Sequence, residues 1–222
     1  MENIKILVLD VDGTLIDSMG IWSQVDAMYL EKHGFQATEE LSRQFSTMTM
    51  ESSLQYMKDT FHIKDSIEIM LHDILSLVRD FYLHKVSLKS GMKELILTFH
   101  KNHIPMMICT SNEKSLIYET MERFGLADYF MYILTSDEVG SGKDNPEIYY
   151  KACQYMNSKP ENTYVFEDAI HAASCAYKNH FQLIGVYDDY SQMYEKKIKE
   201  MSVHFIKEEK DIYPILESFN KY

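Results

Sequence analysis

The sequence predicts an α/β chain: a parallel sheet with helices on both faces, interrupted by an all-helical insertion. Three observations carry this. A short apolar run from Ile4 to Leu9 ends abruptly in Asp10-Val11-Asp12-Gly13-Thr14, which reads as a strand buried on both faces. From Leu88 onward, helical patterns and short apolar runs alternate, as a βαβα chain requires. From Ser18 to about Lys85 the pattern is helical throughout, with no strand signal. These place the core at residues 1–17 and 87–222 and the insertion at 18–86.

Within the insertion, Ile21, Trp22, Val25, Met28 and Tyr29 share one face of a first helix, and Gly34 is a stop. Leu54, Met57 and Phe61 mark a second. Ile67, Met70, Leu71, Ile74, Leu75, Val78, Phe81 and Tyr82 mark a long third. After Leu88, a helix around Met92, Leu95, Ile96 and Phe99 leads to strand Ile104–Cys109. A helix through Leu116, Ile117, Met121 and Phe124 closes at Gly125, and strand Met131–Leu134 follows. Next come a helix with Ile148, Tyr149, Ala152 and Tyr155, strand Thr163–Phe166, and an alanine-rich helix from Ala169. Strands Leu183–Val186 and Val203–Ile206 and a terminal helix end the chain.

The bulk properties narrow the function. The 222 residues are 45% hydrophobic and 25% charged, with 16 Tyr and 11 Phe, so the chain can bury a sizeable core. A net charge of −12 argues against a nucleic-acid backbone and against anionic membranes as partners. Cys109, Cys153 and Cys175 are odd in number and widely spaced, which indicates neither a disulfide framework nor a zinc knuckle and suits a cytoplasmic location. No window reaches membrane length, and Ile4–Leu9 is too short for a signal peptide's apolar region.

In open parallel sheets, sites lie beyond the carboxyl ends of the strands. Four such ends are unusual here: Asp10-Val11-Asp12-Gly13-Thr14, Thr110-Ser111-Asn112, Gly140-Ser141-Gly142-Lys143, and Glu167-Asp168. Together they suit phosphoryl transfer. Asp10 and Asp168 can hold Mg²⁺, a hard cation that prefers carboxylate oxygens. Thr110 can donate to a phosphoryl oxygen, and Lys143 supplies positive charge where the transition state spreads its own. Asp10 is then the nucleophile, forming an aspartyl-phosphate. Asp12 protonates the leaving alkoxide and later deprotonates the attacking water. Gly13 permits the tight turn that brings both acids to one point.

The order Asp-x-Asp-Gly-Thr, strand-end Thr, Lys, Glu-Asp resembles the haloacid dehalogenase superfamily. The insertion after the first motif is similar to the helical C1 cap of its β-phosphoglucomutase and phosphoglycolate phosphatase subfamily. Leu88-Lys89-Ser90-Gly91, Gly142-Lys143-Asp144-Asn145-Pro146-Glu147-Ile148-Tyr149 and Val165-Phe166-Glu167-Asp168-Ala169 extend the likeness over essentially the whole chain. The resemblance implies a Rossmann-like catalytic core and an inserted all-helical cap domain. It implies that Asp10 is nucleophile and metal ligand, and that Asp12 is acid/base and lends its backbone carbonyl to the metal. Thr110, Ser111 and Lys143 bind phosphate, and Asp168 with Glu167 completes the Mg²⁺ site. Ala169 and Ala172 stand where relatives often have Ser and Gly, and Ser90 and Asp144 replace common prolines.

Other readings of these motifs fare worse. An EF-hand loop fails because Gly13 is its fourth residue and a strand precedes it. A P-loop fails because Asp137 occupies the earlier glycine position and Asp144 follows Lys143. His171 reads as a helix-surface residue; Met19, Met48 and Met57 read as packing, with Trp22 and Met50 as possible specificity residues of the cap.

A carboxyl acid/base at Asp12 suits phosphate esters rather than carbon–halogen bonds. Mutase relatives carry an Arg after the second cap helix, where Ser46-Thr47-Met48-Thr49-Met50-Glu51 places Met50, and a basic residue where Glu113 stands. The expectation is therefore a monomeric phosphatase of a small, sugar-phosphate-like ester. A phosphosugar mutase and a non-catalytic phosphate- or metal-binding regulator are the alternatives.

Overall fold

The computed structural model describes residues 5–45, 48 and 50–219, with only the backbone for Ser23, Glu39, Ser42 and Arg43. It divides into two compact units, Met1–Asp17 with Ser87–Tyr222, and Ser18–Val86.

The first unit is built on six parallel strands: β1 Ile6–Leu9, β2 Met106–Thr110, β3 Ile133–Thr135, β4 Thr163–Glu167, β5 Gln182–Val186 and β6 His204–Ile206. Their spatial order is β3-β2-β1-β4-β5-β6. The chain therefore reverses its direction of winding at β1, which sits between β2 and β4. That is the switch point where strand ends open a crevice. All four residues of β1 are buried, as an unalternating apolar run demands of a strand covered on both faces.

The two faces are filled by alternate residues. Ile6, Val8, Met107, Cys109, Val165 and Leu183 pack with Tyr149, Ala152, Ala173, Ala176 and Ile198 in one core cluster. These come from α8 (Glu147–Tyr155), α9 (Ile170–Lys178) and α10 (Glu195–Met201). On the other face, Phe166 meets Phe99 of α5 (Met92–Lys101), ring centroids 6.4 Å apart. Phe219 of α11 (Tyr213–Phe219) meets Phe99 edge-on at 5.0 Å and Tyr164 edge-on at 4.7 Å. Burying each such side chain stabilises the fold by about 1.5–3 kcal/mol. The helix α6 (Lys114–Phe124) follows β2 and closes at Gly125, whose φ of 69° gives the left-handed C-cap.

The second unit is helical: α1 Met19–Lys32, α2 Glu39–Phe45, α3 Met50–Phe61 and α4 Ile67–His84. Ser66 caps α4 by accepting from the Ile69 amide at 3.3 Å, and Met70, Ile74, Val78 and Tyr82 form its buried stripe. Ser53 of α3 donates to buried Asp26 of α1 at 3.3 Å, and Lys32 reaches Asp73 of α4 at 3.0 Å.

Three short helices depart from the sequence expectation, one of them α10, between β5 and β6. Here α2 begins after Thr38, whose hydroxyl accepts from the Leu41 amide. The four-residue α7 (Ser136–Val139) is set by a capping box between Thr135 and Glu138. All three are too short for apolar periodicity to register. Ile4 of the expected first strand, and Ser46, Thr47 and Thr49, lie outside the described residues. Among the described residues, no helix is long and apolar enough to cross a membrane.

Candidate active site

The end of β1 is a tight turn in which the Val11 carbonyl collects the amides of Thr14, Leu15 and Ile16 at 2.9–3.2 Å. Gly13 makes it possible with a φ of 79°. A Cβ there would lie 2.5 Å from Oδ2 of Asp168, so glycine is also what lets Asp168 approach. The Asp10 amide donates to the Phe166 carbonyl at 3.1 Å, which aligns the ends of β1 and β4.

This alignment gathers the acids. Asp10, Glu167 and Asp168 are all buried, and each offers a carboxylate oxygen within 4.8 Å of the others. Lys143 is buried with them: its ammonium bonds to Asp10 and donates to both oxygens of Glu167, at 3.2 and 3.0 Å. Thr14 donates to Asp168 at 3.0 Å.

The charges do not balance. Three carboxylates share one ammonium, and burial strengthens every repulsion among them. Burial pushes the Asp10 carboxyl upward against the pull of Lys143. It drives Glu167 well above the usual range, with the Asp10 charge adding to it. Asp168 is pushed up to about 7 by burial and then by Asp10. Burial opposes the charge on Lys143, but Asp10 and Glu167 outweigh it and hold the ammonium well above its ordinary value. Raised carboxyls in an all-oxygen cluster are what a site short of positive charge looks like. The donor set and the charge deficit both fit a hard divalent cation such as Mg²⁺.

The remaining expected residues fall as follows. Asp12, half-buried, accepts from the Asn112 side-chain amide at 3.2 Å; it is not one of the clustered carboxylates. Thr110 is fully buried at the end of β2, and its hydroxyl accepts from the Asn112 amide at 3.0 Å. Ser111 is exposed and shares a hydrogen bond with Ser136 at 3.0 Å. Trp22 on α1 and Met50, the first residue of α3, are half-buried within the helical unit. His171 is exposed on α9, and Met57 is buried. Ala169 leaves α9 without a side-chain cap.

Sequence reasoning gave no role to Thr14 or Asn112, although both were in view as motif residues. Their contacts span 154 and 100 positions, and no local pattern reports such pairs. Cys109, beside the cluster, has its thiol pushed up by burial, which removes it as a nucleophile.

A family model described as haloacid dehalogenase-like hydrolase matches residues 7–186. The chain is 26% identical over 163 residues to the phosphorylated carbohydrates phosphatase of Thermotoga maritima, covering 73% of this chain and 76% of that one. It is 24% identical over 165 residues to the validoxylamine A 7′-phosphate phosphatase of Streptomyces hygroscopicus subsp. limoneus, covering 74% and 77%. Among solved structures, a protein described as a putative β-phosphoglucomutase from Thermotoga maritima shares the fold with a TM-score of 0.83. It is 23% identical, with 96% of this chain and 99% of that one covered. With its strand-end acids gathered at the switch point and the matched region spanning most of its length, the chain belongs to the haloacid dehalogenase-like hydrolase family.

Proposed function

We propose that this chain is a Mg²⁺-dependent phosphoric monoester hydrolase acting on a small, sugar-phosphate-like metabolite through an aspartyl-phosphate on Asp10. The observation that carries this reading is the buried trio Asp10, Glu167 and Asp168 around Lys143, with the second acid, Asp12, oriented separately by Asn112.

Asp10 and Asp168, with Glu167 and the Asp12 backbone carbonyl, would hold the cation. Mg²⁺ there supplies charge neutralisation between the nucleophile and an anionic phosphoryl group. A carboxylate oxygen of Asp10 attacks phosphorus, and the ester P–O bond breaks. Asp12 gives its proton to the departing alkoxide. Lys143 and Thr110 donate to the equatorial oxygens as charge spreads over them. A water molecule then attacks the acyl phosphate, Asp12 takes up its proton, and phosphate leaves with Asp10 regenerated. A nucleophile and an acid/base on one turn, two residues apart, serve both halves of this cycle.

The relatives named for phosphorylated carbohydrates and for validoxylamine A 7′-phosphate support a carbohydrate-like leaving group. We assign its selection to the helical unit, in which Trp22 and Met50 are the residues to test. Three free, buried cysteines suit a reducing cytoplasm.

The test is a screen of small phosphometabolites and an aryl phosphate with MgCl₂, using Asp10→Asn and Asp12→Asn as controls. Phosphate release by the wild type, lost in Asp10→Asn, is the expected result. Turnover retained in Asp10→Asn overturns the nucleophile assignment. Conversion of β-glucose 1-phosphate to glucose 6-phosphate with a bisphosphate primer, without free phosphate, overturns the phosphatase assignment in favour of a mutase.

A further inference from the structure

Past the carboxyl end of β5, outside the acid cluster, the chain buries another carboxylate. Asp188 is 4% exposed. One oxygen accepts from the Tyr190 amide at 2.9 Å. The other accepts from Lys89 at 2.7 Å, and the Lys89 ammonium also donates to the Tyr187 carbonyl at 2.6 Å. Proposed catalytic steps use neither residue. An exposed pair of this kind would contribute little, but this pair is withdrawn from water at a desolvation cost, which calls for a reason.

Their neighbours supply one. Strands β4 and β5 pair with Glu167 opposite Gly185, so Asp168 and Asp188 emerge from adjacent strand ends. Lys89 is also tied to the first motif: its backbone amide donates to the Leu15 carbonyl at 2.9 Å. Thr14, one residue earlier, is the donor to Asp168. Asp168, Thr14, Leu15, Lys89 and Asp188 thus form a ring around one side of the acid cluster. Three of its links are hydrogen bonds, one is a peptide bond, and the last is the pairing of β4 with β5, whose ends carry Asp168 and Asp188.

We infer that Lys89 and Asp188 are a positioning pair for the divalent-cation site, locking the Thr14–Leu15 turn to the end of β5 so that Asp168 keeps its ligand orientation. Outer partners of metal ligands commonly govern affinity by 10–100-fold on removal. The inference rests on the Mg²⁺ reading of the cluster, and its test separates the two.

Titration calorimetry with MgCl₂ alone, on the full chain without substrate, gives the affinity directly. Lys89→Met and Asp188→Ala should each weaken Mg²⁺ binding about tenfold or more. The double variant should be no weaker than the worse single one, because the two side chains act as one unit. Lys89→Arg should restore affinity to within about threefold of wild type, since it keeps the donor and the charge. A merely structural pair would lower the melting temperature and leave the dissociation constant of the folded protein unchanged. That result in Asp188→Ala overturns the pair while leaving the cation site intact, and it suffices alone if Lys89→Met does not fold. A wild type that binds no Mg²⁺ overturns both readings; Asp168→Asn, which should bind none, is the control that the heat comes from this site.

Discussion

Lys143 donates to both carboxylate oxygens of Glu167, at 3.2 and 3.0 Å, while bonding Asp10 as well. One ammonium therefore serves acids that follow or end two neighbouring strands, β1 and β4. Lys143→Met leaves those acids with no bonded counter-charge. Activity should fall by about 10²–10³-fold. Stability should fall by about 3–5 kcal/mol at pH 8, where buried ionised carboxylates are left unpaired. The loss should be smaller at pH 5. Carboxyls raised in the folded state bind more protons there than in the unfolded chain, so stability declines as pH rises through their range. Urea unfolding at the two pH values checks this, and equal losses at both would refute it.

Asn112 donates a hydrogen bond of 3.2 Å to Asp12. Asn112→Ala should lower kcat about tenfold with little change in KM, since general acid–base catalysis contributes about 10²–10⁴ and depends on aim. Steady-state kinetics on the best substrate decides it. An unchanged kcat would remove Asn112 from the acid/base assembly.

Gly13→Ala puts a methyl group 2.5 Å from Asp168 Oδ2 at a φ of 79°. The backbone strain alone costs about 1–2 kcal/mol. The displaced carboxylate should also cost the cation its site. The wild type should melt at a higher temperature with MgCl₂, and Gly13→Ala should melt lower and show no such rise. A variant that still responds to Mg²⁺ like the wild type would contradict this placement of Asp168.

Asp26 gives a pH test away from the acid cluster. Burial raises its carboxyl above 3.8, against the hydrogen bond from Ser53. Near pH 3.5 folded and unfolded chains both hold most of this proton, so little stability depends on it. As pH rises, the unfolded chain releases the proton first, and the folded state pays for a buried charge. Asp26→Asn should therefore raise the melting temperature by a few degrees at pH 7.5 and hardly at all near pH 3.5. The same shift at both pH values would show that the substitution acts through packing rather than charge.

Much of the sheet could be read from the sequence because its strands are buried on both faces. Runs such as Ile6–Leu9 and Met106–Thr110 cannot alternate with polar residues, and so they stand out. Strand edges moved by a residue or two: the run expected at Ile104–Cys109 forms Met106–Thr110, and the one at Met131–Leu134 forms Ile133–Thr135. The small helices α2, α7 and α10 went unread, because they are too short for periodicity and caps such as Thr38 and Thr135 give a weaker signal.

At the site, the strand-end acids announce themselves by type and order. Their supports do not. Thr14 and Asn112 stand inside the strand-end motifs, yet only the fold gives them partners. Lys89 and Asp188 are ninety-nine positions apart, and neither is unusual where it stands. Residues that act on chemistry directly are constrained in kind, whereas residues that hold others in place are constrained only in position.

The two connections between the units run side by side. Ile16 bridges Leu88, the Asp17 amide donates to the Ser87 carbonyl, and the Lys89 amide donates to the Leu15 carbonyl. Topologically, the core meets residues 18–86 as a hairpin loop whose ends are already closed. Closure entropy grows only slowly with loop length, so the closure cost is nearly indifferent to the length of chain threaded between these bridged residues. In terms of chain closure the insertion is thus a replaceable cassette: its helices can be exchanged or lengthened while the acids at the end of β1 keep their address.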